Sequence, residues 1–209
     1  MSLRAAIIVS SPALPLLRRA SLGALIGVVL AACTCGPARA EPDPGLVLEL
    51  DRARFELRSY DARTDEAGPS LRIVLGSPAN ETPDGDHRVG RVILNPAWHP
   101  SDAAREAGAE PMPPSLDSPM GVAKIPFART GSIALHGGGD LRLLGKPISG
   151  GCVRARDADL LRVLAWLAAR DALAPPVPQS DGEVHRSFQR PVHLRIHSGT
   201  EGEEPAPAS

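Results

Sequence analysis

The sequence predicts a mostly β domain carrying one or two helices, preceded by an export leader. Three observations carry this expectation. Pro (22) and Gly (20) are too frequent among 209 residues for a helical bundle and punctuate the chain with turns. Short alternating apolar runs recur from Leu46 to His197. Helical periodicity is clear in a single stretch, after Arg154. Aromatic residues make up only 3%, so the core has to be built from Leu, Val, Ile and Ala. A hydrophobic share of 43% with 22% charged residues is normal for a soluble domain. The length suits one ordinary domain plus extensions, without internal repeats.

The leader is read from residues 1–32. Arg18 and Arg19 precede an apolar run from Ala20 to Ala32, too short for a spanning helix, which needs roughly 20 residues. Leu30-Ala31-Ala32-Cys33 resembles a bacterial lipobox, with Cys33 as the lipidated first mature residue. A rival cleavage follows Ala38-Arg39-Ala40. Residues 33–45 then form a tether, 46–198 the domain, and 199–209 an acidic, small-residue tail expected to be disordered. Such a protein is expected at the periplasm or cell envelope, held to a membrane by a lipid anchor. The net charge is −1, the leader carries only basic charges, and no basic block occurs, which argues against nucleic acid as a partner. Of the three cysteines, Cys33, Cys35 and Cys152, the last is the candidate nucleophile. A Cys35–Cys152 disulfide is the structural alternative.

Within the domain, residues 46–50, 52–60, 71–76 and 87–94 have strand texture, with a turn at Thr82-Pro83-Asp84-Gly85. Residues 95–119 are irregular with one helical turn near 103–106, which reads as a lid, a binding loop or a solvated insertion. Residues 121–125 and 132–136 return to strand. Asp157 is placed to cap a helix whose apolar stripe is Leu160, Val163, Leu164 and Leu167. Pro191 to His197 alternates strictly as a closing strand. His193 and His197 therefore sit two pleats apart rather than on a helical zinc motif, and no metal is expected. His87 and His99 read by default as surface histidines, and Lys124 and Lys146 as solvated.

Two segments carry chemistry: Leu135-His136-Gly137-Gly138-Gly139 and Ile148-Ser149-Gly150-Gly151-Cys152-Val153-Arg154. A cysteine thiol ordinarily has a pKa of ~8.5, so a nucleophile needs a base, a cation or a helix N-terminus nearby. His136, Arg154 and the helix starting near Asp157 are candidates for these. Gly150 and Gly151 leave bare backbone whose N–H groups can meet a developing oxyanion.

These segments resemble the catalytic signature of the L,D-transpeptidases (YkuD-type domains): a His-Gly, a spacer, then Ser/Thr-His-Gly-Cys, a hydrophobic residue and Arg. Three upstream segments are similar too: Val74-Leu75-Gly76 with Thr82-Pro83-Asp84-Gly85, Asn95-Pro96-Ala97-Trp98, and Ser118-Pro119-Met120-Gly121. The resemblance implies a β-sandwich or mixed-sheet catalytic domain that acts on peptidoglycan stem peptides without a cofactor. It implies Cys152 as the nucleophile attacking the third stem residue and releasing D-alanine. It implies His136 as the base, oriented by the main-chain carbonyl of Gly137. Main-chain N–H groups around Gly151 and Cys152 would form the oxyanion hole, within a loop running from Ser149 through Gly150. Arg154 would hold that loop or a substrate carboxylate, and carbapenem-type inhibitors would acylate the thiol. The departure is Gly150, which stands where the family carries a second histidine. The alternative is a non-catalytic or weakly hydrolytic peptidoglycan-binding lipoprotein with a degenerate site.

Overall fold

The computed structural model describes residues 43–115, 117–127 and 132–199. The leader, Cys33, Cys35 and the tail beyond Gly199 lie outside the described residues.

Leu46–Asp51 (β1) and Glu56–Asp61 (β2) pair antiparallel. β2 starts at Glu56 rather than at Arg52, because the Asp51 carboxylate accepts the N–H groups of Ala53 and Arg54 and bends the chain there. Phe55 ends that turn at a φ of 52°, outside strand geometry. Glu66–Arg72 (β3) extends the meander. Sequence alternation misses its first half, where Gly68 and Pro69 interrupt the pattern. Gly68 is required there by packing: a β-carbon would lie 2.5 Å from the Trp166 ring. The expected strand over 71–76 is divided, since Leu75–Gly76 (β4) belongs to a second sheet. Gly85–Leu94 (β5) is one continuous strand. The helical turn in the long connection is Asp102–Glu106 (α1), capped by the Ser101 hydroxyl.

Ala123–Phe127 (β6) and Ile133–His136 (β7) pair antiparallel. A 3₁₀ turn follows at Leu141–Leu143, then Pro147–Ser149 (β8) and Val153–Arg154 (β9). These strands are too short to show a period, which is why alternation does not reveal them. Asp157–Ala168 (α2) is the main helix, and Val177–Pro178 (β10) precedes Val184–His197 (β11). β11 extends well upstream of Pro191; its pairing with β5 shifts between Ser187 and Val192, so the bulge absorbs the proline.

The main sheet is mixed, in the order β3-β2-β1-β11-β5-β6-β7-β9, with β10 attached to β11. β1–β11 and β7–β9 run parallel, and β4–β8 forms a separate parallel pair. The four stripe residues of α2 are all buried, in one cluster with Leu48, Leu50, Ile125, Leu135, Val153 and Leu194. Burying such a side chain stabilises by roughly 1.5–3 kcal/mol each, so this cluster holds the helix to the sheet.

Two polar features differ from expectation. The last tether residues are fixed on the domain: Arg190 donates to both Asp43 oxygens (2.8 and 3.1 Å) and to Asp61. The Arg190 guanidinium lowers the Asp43 carboxyl to about 2. Lys124 is mostly buried rather than solvated, its ammonium 3.6 Å from Glu183. The His193 ring nitrogen lies 2.8 Å from an Asp86 carboxylate oxygen and that of His197 3.8 Å from one of Glu49.

Candidate active site

The β6–β7–β9 register assembles the site. Lys124 is opposite His136 across one pair, and His136 is opposite Arg154 across the next. All three therefore share one sheet face, while Ile125, Leu135 and Val153 point into the core from the other. Cys152 immediately precedes β9, so the parallel pairing brings its loop alongside the end of β7. Its side chain is half-buried and its thiol is free.

The Cys152 loop is fixed from two sides. The Ser149 hydroxyl donates to the Cys152 carbonyl (2.5 Å) and accepts the Gly151 N–H (3.2 Å). The buried Thr82 hydroxyl donates to the Gly151 carbonyl (3.0 Å) and accepts the Gly76 N–H (2.9 Å). Gly151 has a φ of 111°, open to glycine and strained for other residues. Behind the loop, Ser77 N–H donates to the Ser149 carbonyl, and Val74 exchanges two main-chain bonds with Arg154. The Val-Leu-Gly and Thr-Pro segments read from sequence are thus the backing of the cysteine loop. Thr82 was not singled out as a site residue from sequence, although both the turn motif and the family-like Thr-Pro-x-Gly segment contain it.

Gly150 behaves differently. It is exposed, and a β-carbon there would meet nothing within 4 Å.

His136 is 3% exposed, and its Nδ1–H donates to the Gly137 carbonyl at 2.7 Å. That bond fixes the tautomer, leaving Nε2 as the nitrogen with a lone pair. Burial pushes the imidazole down to about 4, and the Arg154 and Lys124 charges act in the same direction. The carbonyls of Gly137 and Met120 oppose the shift. His136 is therefore a neutral imidazole at physiological pH, able to accept a proton. Arg154 makes no ion pair among the described residues, and its Nε is buried without a partner.

Asp157 does not cap α2. The N-cap is Arg156, which makes no side-chain cap bond, and Asp157 is the first helical residue. Its Oδ1 instead accepts the N–H groups of Val122 and Gly138, both at 3.0 Å. The start of α2 thereby ties the loop before β6 to the loop after β7. Glu183, also unanticipated, joins the Ala97 N–H (2.9 Å), His185 (2.8 Å) and Lys124 beside this face. Of the sequence-derived residues, His136, Gly137, Ser149, Gly151, Cys152 and Arg154 come together in one corner. Gly150 lies at its solvent edge, and Cys33 is outside the described residues.

The family description "L,D-transpeptidase catalytic domain" (YkuD) matches residues 47–192. No curated protein matches the chain. Similar solved structures include the catalytic domain of the E. faecium L,D-transpeptidase, at 15% identity over 74% of this chain and 98% of that one, with a TM-score of 0.44. L,D-transpeptidase 3 from Mycobacterium tuberculosis is 13% identical over 73% of this chain and 61% of that one, TM-score 0.46. The L,D-transpeptidase LdtMt1 in complex with imipenem is 12% identical over 73% and 59%, TM-score 0.42. The chain spans 51–60% of the length of the first four solved structures it matches.

Proposed function

Because the chain belongs to the L,D-transpeptidase catalytic-domain (YkuD) family, we propose that it is a cysteine acyltransferase acting on peptidoglycan stem peptides. The observation that carries this reading is the His136 Nδ1–H bond to the Gly137 carbonyl, which leaves a neutral Nε2 on the sheet face that the Cys152 loop adjoins. In the proposed cycle, Nε2 takes the Cys152 thiol proton as the sulfur attacks the carbonyl of the third stem residue. The tetrahedral oxyanion is met by main-chain N–H. Gly151 N–H is engaged by Ser149, so the Cys152 N–H is the primary donor. The imidazolium returns the proton to the departing amine, the C–N bond breaks, and D-alanine leaves. An amine of a second stem then attacks the thioester, giving a 3→3 or other cross-link and regenerating the thiol. Arg154, a cation without a counter-ion among the described residues, would receive a substrate carboxylate. The protein is proposed to be exported and lipid-anchored through Cys33 at the cell envelope.

A carbapenem tests the reading directly. The expected result is one stoichiometric covalent adduct by intact mass, abolished by Cys152→Ala. A folded, reduced wild-type protein that forms no adduct and releases no D-alanine from tetrapeptide muropeptides would refute it.

Gly150 favours a second reading, a wall-binding protein with little or no turnover, since the family's second imidazole is missing there. That reading expects muropeptide binding indifferent to Cys152→Ala, without release of D-alanine.

A further inference from the structure

We propose that Asp157 is a positioning residue of this site, acting on His136 through the peptide group that joins Gly137 to Gly138. The inference rests on the reading of His136 as the base. Gly138 N–H donates to Asp157 Oδ1 at 3.0 Å. The carbonyl of that same peptide group, on Gly137, accepts the His136 Nδ1–H at 2.7 Å. A carboxylate, a peptide and an imidazole are therefore linked in series.

Hydrogen bonds in such a chain polarise one another, the more so away from water. A carboxylate drawing on the N–H raises the electron density on the C=O. That makes the carbonyl a better acceptor for Nδ1–H, most of all when the ring becomes an imidazolium. In a serine triad the carboxylate meets the imidazole directly to the same end; here a peptide group stands between them. An opposing field acts on the ring as well: Arg154 and Lys124 flank His136 and disfavour its protonated form. A negative group reaching the ring through Gly137 works against both.

The surrounding backbone is shaped to this contact. A β-carbon on Gly137 would fall 1.9 Å from Asp157 Oδ1, and one on Gly121 would fall 2.2 Å from it. Gly138 has a φ of 69°, and a β-carbon on it would fall 2.6 Å from the Pro119 carbonyl oxygen, so this position too is open only to glycine. The second bond to Oδ1, from Val122 N–H, fixes the loop preceding β6 in the same place. α2 makes no use of this side chain as a cap.

The test compares wild type with Asp157→Asn and Asp157→Ala, using the His136 Nδ1–H resonance in the protein labelled with ¹⁵N-histidine and the rate of acylation by a carbapenem. Asp157→Asn keeps an oxygen for both N–H donors and loses the charge. It should fold as wild type, shift the Nδ1–H resonance upfield, and acylate about 3- to 10-fold more slowly. Asp157→Ala should acylate about 10- to 100-fold more slowly, by analogy with the range found when groups orienting a metal-ligating histidine are removed. In both variants non-covalent affinity for the carbapenem should stay within about twofold of wild type, since Asp157 would not touch it. An Asp157→Asn protein with an unmoved Nδ1–H resonance and a wild-type acylation rate overturns the proposal, whether or not the alanine variant folds. If wild type itself is not acylated, the acyl-transfer reading fails. The resonance then decides the Asp157 linkage alone: a shift in Asp157→Asn supports it and an unmoved signal overturns it.

Discussion

Protonating His136 should cost the folded state a defined amount of stability. The ring is 3% exposed and titrates at about 4, against an ordinary value of 6.5. Between those values the unfolded chain binds a proton that the folded chain rejects, so stability rises with pH across the window. His136 thus contributes its full effect above pH 6.5 and loses it as the pH falls through 4. At 1.36 kcal/mol per pH unit the loss is about 2 kcal/mol at pH 5 and about 3 kcal/mol at pH 4. Urea unfolding at pH 7, 6, 5 and 4 would measure it, with His136→Asn as the non-titrating reference. Other groups titrate alike in both proteins and cancel. The stability gap between wild type and variant should shrink by about 3 kcal/mol from pH 7 to pH 4. A gap that stays constant with pH would show that His136 titrates normally in the fold and would refute the argument from burial. The same displacement should move the acid limb of carbapenem acylation to about pH 4.

Two further outcomes follow from the loop that carries Cys152. Thr82→Val removes a buried hydroxyl that serves Gly76 N–H and Gly151 C=O; it should destabilise by about 1–3 kcal/mol in urea unfolding and slow acylation. Gly150→His places its β-carbon where nothing lies within 4 Å, at an exposed position, so unfolding stability should hardly move, by about 0.5 kcal/mol or less. A gain in D-alanine release by that variant would identify a weakened enzyme; no gain would favour the binding reading.

The candidate cysteine and histidine were legible in the sequence because the two segments that carry them are close in the chain. His136 ends an alternating run, and Cys152 lies among glycines just before the helical period begins. The stripe on α2 was equally visible, since Leu160, Val163, Leu164 and Leu167 answer to a period that only burial explains. What could not be read was the tertiary use of polar side chains. Asp157 has the residue type and position of a helix cap, and only the approach of Gly121 and Gly138 gives its carboxylate a different role. Lys124 looks solvated until β11 brings Glu183 beside it. The short strands β4, β8 and β9 were hidden because two or three residues have no period, and their pairing is dictated by partners distant in the chain. Gly68 concealed β3 for the opposite reason: its lack of a side chain is what lets Trp166 lie against the sheet.

The placement of β11 has a consequence for how the molecule is made. That strand lies between β1 and β5 and pairs with both. Until residues 184–197 have been synthesised, β1–β3 and β5–β7 are two half-sheets with no common hydrogen bonds, each offering an open edge. Joining the two half-sheets therefore waits for β11, the strand that hydrogen-bonds to both. A truncated chain ending before Val184 would be an aggregation hazard rather than a partly folded domain.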